Sequence, residues 1–169
     1  MTVSTKGVVA SALALAIAVT PSHATATIKV GDRAPKFEMT LIDGSRISST
    51  DLHGQVVILN FWATWCGPCK AELPLLDTYY RLRKDNGLRV FAVATEDSLP
   101  AYKLKPVFAA LAIPSARRIK GAFGVMGALP TNYIIDRAGV VRYAKPGAFD
   151  LADLNRLLVP LLNEPAPTP

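Results

Sequence analysis

Cysteine and histidine are scarce in this chain of 169 residues, which holds two of each. Several disulfides are needed to staple a small secreted domain, so a disulfide framework is excluded. Structural zinc is excluded as well, because it takes four ligands and, beyond Cys66 and Cys69, only His53 remains after the leader's His23 is set aside. Also missing is an apolar run of about 20 residues, the length that spans a bilayer. The longest apolar stretch, Val8 to Val19, is shorter and rich in alanine. It follows Lys6 and precedes Pro21 and Ala24-Thr25-Ala26, the sequence of basic residue, apolar core and small-residue cleavage site that marks a secretory signal peptide. Residues 1–26 are therefore expected to be a cleaved signal peptide, with a periplasmic product and no stable membrane insertion. No cysteine lies near the cleavage site, so a lipid anchor is excluded.

Acidic residues are outnumbered by 19 to 13, and by 18 to 13 once Lys6 is removed. The bases are scattered except for Arg117, Arg118 and Lys120. Without an aromatic-basic groove, nucleic acid is not an expected partner. The charge surplus favours solubility first, and attraction to acidic partners or an anionic surface second.

Residues 27–163 have the size of one domain, and 164–169 form a proline-rich tail expected to be disordered. Phe37 to Leu41 and Arg46 to Ser49, flanking Asp43-Gly44, predict an N-terminal hairpin. Val56 to Trp62 is an almost unbroken apolar run, as in a central strand covered on both faces. A helical pattern begins at Cys66, with a kink expected at Pro74, and stops at Asn86-Gly87. Leu88 to Thr95 predicts the next strand. Leu104, Val107, Phe108 and Leu111 have helical spacing around Pro106. Asn132 to Asp136 and Val140 to Ala144 flank a turn at Arg137-Ala138-Gly139, and Asp150 caps a final amphipathic helix. The order implies an α/β fold, a mixed central sheet with helices on both faces plus the N-terminal hairpin.

The two cysteines stand in Trp65-Cys66-Gly67-Pro68-Cys69, between a buried strand and a helix. At a helix start, free N–H groups and the positive end of the macrodipole favour an anion. Thiolates in such settings attack disulfides. Cys66 is the expected nucleophile, and Cys69, almost one turn on and shielded, the residue that resolves the mixed disulfide. Gly67 allows close approach of a partner chain, Pro68 presets the helix start, and Trp65 either rims the nucleophile or packs beneath the loop. A purely structural disulfide is a weak alternative, because so short a loop removes little unfolded-state entropy.

Asn60-Phe61-Trp62-Ala63-Thr64-Trp65-Cys66-Gly67-Pro68-Cys69, with Glu72-Leu73-Pro74, resembles the thioredoxin superfamily, and within it the exported TlpA/ResA-like thiol-disulfide oxidoreductases. Val30 to Phe37, Leu129-Pro130-Thr131 and Ile135 to Gly139 fit the same pattern. The resemblance implies a thioredoxin-like fold and a cis peptide at Leu129-Pro130 facing the cysteines, with Leu129 guiding the target chain. It implies a redox-active Cys66–Cys69 disulfide and no other cofactor. Protein thiols are the implied substrates, with electrons from a membrane thiol-transfer donor and a monomeric protein. Targets such as apocytochrome c or copper-site thiols follow by analogy, and the Gly-Pro dipeptide resembles that of reducing members. Thioredoxin's buried Asp is replaced by Asn60, so the family pattern puts the proton acceptor at the end of the next strand, at Glu96 or Asp97, with its pKa raised. Glu72 is expected to be structural or solvated, Lys70 a solvated lysine and His53 ordinary surface.

Two other functions compete. A thiol peroxidase of the P-x-x-x-T-x-x-C type requires proline at position 59 and threonine at 63, where this chain has Leu59 and Ala63. A copper-binding or chaperone module would exploit two Cu(I)-loving thiolates, but the chaperones on this fold use a wider cysteine spacing and a later histidine.

Overall fold

The computed structural model describes residues 1–2, 27–98 and 100–167. The expected signal peptide therefore lies, from residue 3 to 26, outside the described residues, as do the last two residues of the tail. Seven strands form one sheet in the order β2-β1-β5-β4-β3-β6-β7. They are β1 (Glu38–Leu41), β2 (Arg46–Ser48), β3 (Val56–Trp62), β4 (Leu88–Ala94), β5 (Ser115–Lys120), β6 (Thr131–Ile135) and β7 (Val141–Pro146). The α-helices are α1 (Gly67–Arg83), α2 (Ala101–Ala109) and α3 (Leu151–Asn163). β3, β4 and β5 run parallel, and β1, β2, β6 and β7 join as antiparallel partners. This is the expected thioredoxin-like mixed sheet with its N-terminal hairpin.

All seven residues of β3 are buried, because both faces of the strand are covered. Val56, Ile58 and Trp62 face a cluster that takes in Leu73 and Leu76 of α1, Leu104 and Phe108 of α2, and Leu154 and Leu158 of α3. Val57, Leu59 and Phe61 face a second cluster with Met39, Phe91 and Val93. The two covers differ in kind. Buried side chains of all three α-helices join the first cluster, whereas the second is closed by Ile28, Phe37, Leu52 of a 3-10 turn (Ser49–Leu52) and Phe123.

β5 has no counterpart among the sequence-based strands. Ser-Ala-Arg-Arg-Ile-Lys lacks an apolar alternation, yet it pairs with β4 on one side and β1 on the other, joining the hairpin to the sheet. Its entry is fixed by buried Asp77 of α1, whose carboxylate accepts from the Ala112 and Ile113 backbone N–H groups. α2 ends at Ala109, before Leu111, and Val107 is exposed, so Leu104 and Phe108 of its expected stripe are buried in the core and Leu111 packs against it only in part.

Candidate active site

The site grows from the end of β3. After Trp62 the chain turns, and the Cys66 N–H donates to the Ala63 carbonyl at 3.1 Å. Cys66 is the N-cap of α1, in extended conformation. Pro68 occupies the first helical turn, where its missing N–H leaves no partner unsatisfied. The Cys69 backbone N–H donates to Cys66 Sγ at 3.2 Å. The two sulfurs are bonded, with Cα atoms 5.3 Å apart. Cys66 keeps 5% of its surface exposed and Cys69 none. When the pair is reduced, the same N–H and the positive end of a 17-residue helix favour the Cys66 thiolate.

Trp65 is 62% exposed, so it rims the site rather than packing beneath the loop. Its Nε1–H donates to Asp97 Oδ2 at 3.0 Å. Gly67 is exposed, and a Cβ built on it would meet nothing within 4 Å. The fold itself does not require glycine there, which leaves the outer approach open. The Leu129-Pro130 bond is cis, Pro130 is buried, and Leu129 packs against both apolar clusters.

The carboxyls depart from the sequence-based expectation. β4 ends at Ala94, and the turn that follows projects Glu96 and Asp97 into solvent. Asp97 is held below the usual carboxylate range, chiefly by the Thr95 hydroxyl, which donates to it, and further by the Trp65 indole. That shift is opposite to the one a proton acceptor needs at neutral pH. Glu96 lines an open polar pocket with Arg46, Arg117, Arg118 and Lys120. Neither side chain is desolvated in the way the family pattern suggested.

The desolvated acid is Glu72, which is 2% exposed, so of the two expectations for it, structural or solvated, the solvated one is excluded. It stands one turn after Cys69, on the buried side of α1 with Leu73 and Leu76. Its Oε2 accepts from Asn60 Nδ2 at 2.8 Å, and its Oε1 from Asn132 Nδ2 at 2.9 Å and from the Phe149 backbone N–H at 2.7 Å. Asn60 Nδ2 also donates to Asn132 Oδ1 at 2.8 Å, since the two residues are register partners on β3 and β6. Asn132 lies two residues after Pro130, and the Gly147 N–H donates to the Pro130 carbonyl. One buried network thus ties the cysteine helix to the strand that follows the cis-proline. Burial pushes the Glu72 carboxyl up, and the Phe149, Asn132 and Asn60 donors only partly offset that. A sequence signal for Glu72 existed. Its spacing from Cys69 and Leu76 puts it on the helix's apolar stripe.

His53 is exposed and lines a pocket of about 210 Å³ with Val57 at the start of β3, the opposite end of the strand from the sulfurs. Among the described residues no group of three or more His, Cys, Asp or Glu side chains gathers into a possible metal site.

Comparison with known proteins agrees with this geometry. The AhpC/TSA family model matches residues 30–144. A thiol-disulfide oxidoreductase ResA from Bacillus thuringiensis is 38% identical over 122 residues, covering 68% of each chain. The ResA of Geobacillus kaustophilus is 33% identical over 135 residues, covering 78% of this chain and 77% of its own. Among solved structures, a thiol:disulfide interchange protein of the thioredoxin family from Chlorobium tepidum superimposes with a TM-score of 0.66 at 28% identity, covering 82% of this chain and all of that one.

Proposed function

The chain belongs to the AhpC/TSA family and catalyses thiol-disulfide exchange, and from that premise we propose that it is a reductase for disulfides of exported proteins. The observation that carries the reading is the asymmetry of the cysteine pair. One sulfur caps the helix between exposed Trp65 and Gly67 and keeps a small opening to solvent, and the other is fully buried one turn from a buried carboxyl. In the reduced protein, the Cys66 thiolate attacks one sulfur of the target disulfide and expels the target's other sulfur as a thiolate, which takes a proton from water. Cys69 gives its proton to Glu72 and attacks the Cys66 sulfur. The Cys66–Cys69 bond forms, the mixed disulfide breaks and the second target thiolate leaves, taking up through water the proton that Glu72 gives back. The target gains two electrons and two protons, and the protein dithiol loses them.

Leu129 and Pro130 are the residues against which the target chain is laid, with Trp65, Gly67 and Pro68 forming the rim around Cys66. Export rests on the leader pattern at 1–26. Among the described residues no helix is long and apolar enough to cross a membrane. An oxidising compartment requires that the dithiol be restored from outside, so a membrane thiol-transfer protein is the electron donor of this reading. Apocytochrome c and copper-site thiols are its proposed targets.

The test is reduction by the pre-reduced protein of insulin and of a peptide holding an oxidised Cys-x-x-Cys-His segment, alongside fractionation of the host cell. Stoichiometric reduction of both, with the protein in the periplasmic fraction, is the expected result. No reduction of either disulfide would overturn the reading.

A further inference from the structure

The pocket that takes in Glu96 is not used by the exchange chemistry. It holds about 440 Å³ and is lined by Arg46, Arg117, Arg118 and Lys120, against two acids, Glu38 and Glu96. Arg46 is in a loose 4.0 Å ion pair with Glu38, and among the described residues none of Arg117, Arg118 and Lys120 is in an ion pair. All three of these are exposed.

Their arrangement follows from strand register. Thr40 of β1 is flanked by Arg46 on β2 and Arg118 on β5, so two guanidinium-bearing positions lie two strand spacings apart, roughly 10 Å. Glu38 is opposite Lys120, and the irregularity between Thr40 and Leu41 adds Arg117 to the same edge. Met39 and Leu41 point into the second core cluster, which sets Thr40 and its charged neighbours on the other face. None of the buried residues of α1, α2 or α3 packs against that part of the sheet.

The patch is linked to the exchange site through the turn after β4. β5 runs parallel to β4, with Val93 opposite Ala116, and continues beyond the end of β4 towards the turn at 95–98. Glu96 of the patch adjoins Asp97, which holds the indole of Trp65, the neighbour of Cys66. A chain whose disulfide lies at Cys66 therefore meets, beyond Asp97 and Glu96 on one flank, positive charge that is not in an ion pair.

We propose that this basic edge, formed by Arg46, Arg117, Arg118 and Lys120, docks an acidic segment of the polypeptide whose disulfide is reduced at Cys66. The inference rests on the exchange reading and names a class of substrate for it: proteins with carboxylates on one side of the reactive cysteine. Facing charges of opposite sign raise the encounter rate and select for partner orientation.

The test uses the full reduced chain and two fluorogenic disulfide peptides. They are identical except for four glutamates or four glutamines flanking one cysteine. At about 20 mM salt the acidic peptide should be reduced with a kcat/KM roughly tenfold higher than the neutral one. That advantage should vanish at about 0.5 M salt, where charges are screened within a few ångströms. In R117S/R118S/K120S the ratio of the two rates should fall to about one, and in the charge-conserving R117K/R118K/K120R it should persist. Equal rates for both peptides on the unaltered protein would overturn docking and leave the exchange reading standing. So would an advantage that survives the serine variant. Failure to reduce either peptide would overturn both. Salt-sensitive sedimentation with vesicles of anionic lipid, coupled with equal peptide rates, would assign the patch to a membrane surface instead.

Discussion

Two carboxyl-bearing regions stand at the end of the sheet that holds the sulfurs. Glu72 lies within α1, and Glu96 with Asp97 in the turn after β4. The chemical groups are nearly the same, and their surroundings set them to opposite work. Glu72 is closed off by Asn60, Asn132 and Phe149, and burial favours its protonated form. Asp97 is open to water and takes a hydroxyl and an indole donor, which favour its ionised form. A carboxyl near a redox pair becomes a proton acceptor by losing water, not by standing at a particular strand end.

The largest effect should come from the sulfurs, which separate the chemistry from both carboxyl regions. Cys66→Ser should reduce insulin turnover to background, and Cys69→Ser should accumulate a mixed disulfide with the target, visible on non-reducing gels. Next, Glu72→Gln keeps the volume but cannot take a proton. It should slow turnover at neutral pH by roughly 10–100-fold and flatten the pH profile, whereas Glu96→Gln should change it by less than about twofold. Reversal of that order, measured by stopped-flow reduction from pH 5 to 9, would break the comparison.

A third measurement sharpens it through stability. Because the folded-state pKa of Glu72 is raised, its favourable contribution is complete below the usual 4.5 and is lost as pH rises through the folded value. Denaturant unfolding of the oxidised protein should show the native chain losing stability relative to Glu72→Gln as pH climbs above 4.5. A constant difference from pH 4 to 8 would mean that folding does not raise the pKa of Glu72. Asn60→Asp would place a second acid against Glu72 and should move the acidic limb of the rate profile upward, since two neighbouring carboxyls resist ionising together. The smallest effect belongs to Asp97→Asn. It should leave turnover within about twofold of the unaltered rate, because an amide oxygen still accepts from the Trp65 indole.

Much of the fold is legible along the chain because its signals are local. The apolar run of β3, the Asp43-Gly44 and Ala138-Gly139 turns, and the Asp150 cap, whose Oδ1 accepts from the Asp153 N–H, each depend on a few neighbouring residues. β5 escapes such reasoning. Two arginines in succession contradict a strand pattern, and the segment is extended because β1 and β4 supply its partners. The same holds within α2, where helical spacing nominated Val107 and Leu111 although the tertiary packing takes up only Leu104 and Phe108 fully.

The amino-acid order alone determined that two thiols stand at a strand-to-helix junction, since spacing and the Gly-Pro between them are covalent facts. It also set the nearly unbroken apolar run that lets β3 be buried on both faces. Which acid is stripped of water was decided only when Asn132, 60 residues beyond Glu72, came to lie beside Asn60 across two strands. Water is removed from a carboxyl by whatever the whole chain packs around it, and that enclosure is written in no single stretch of residues.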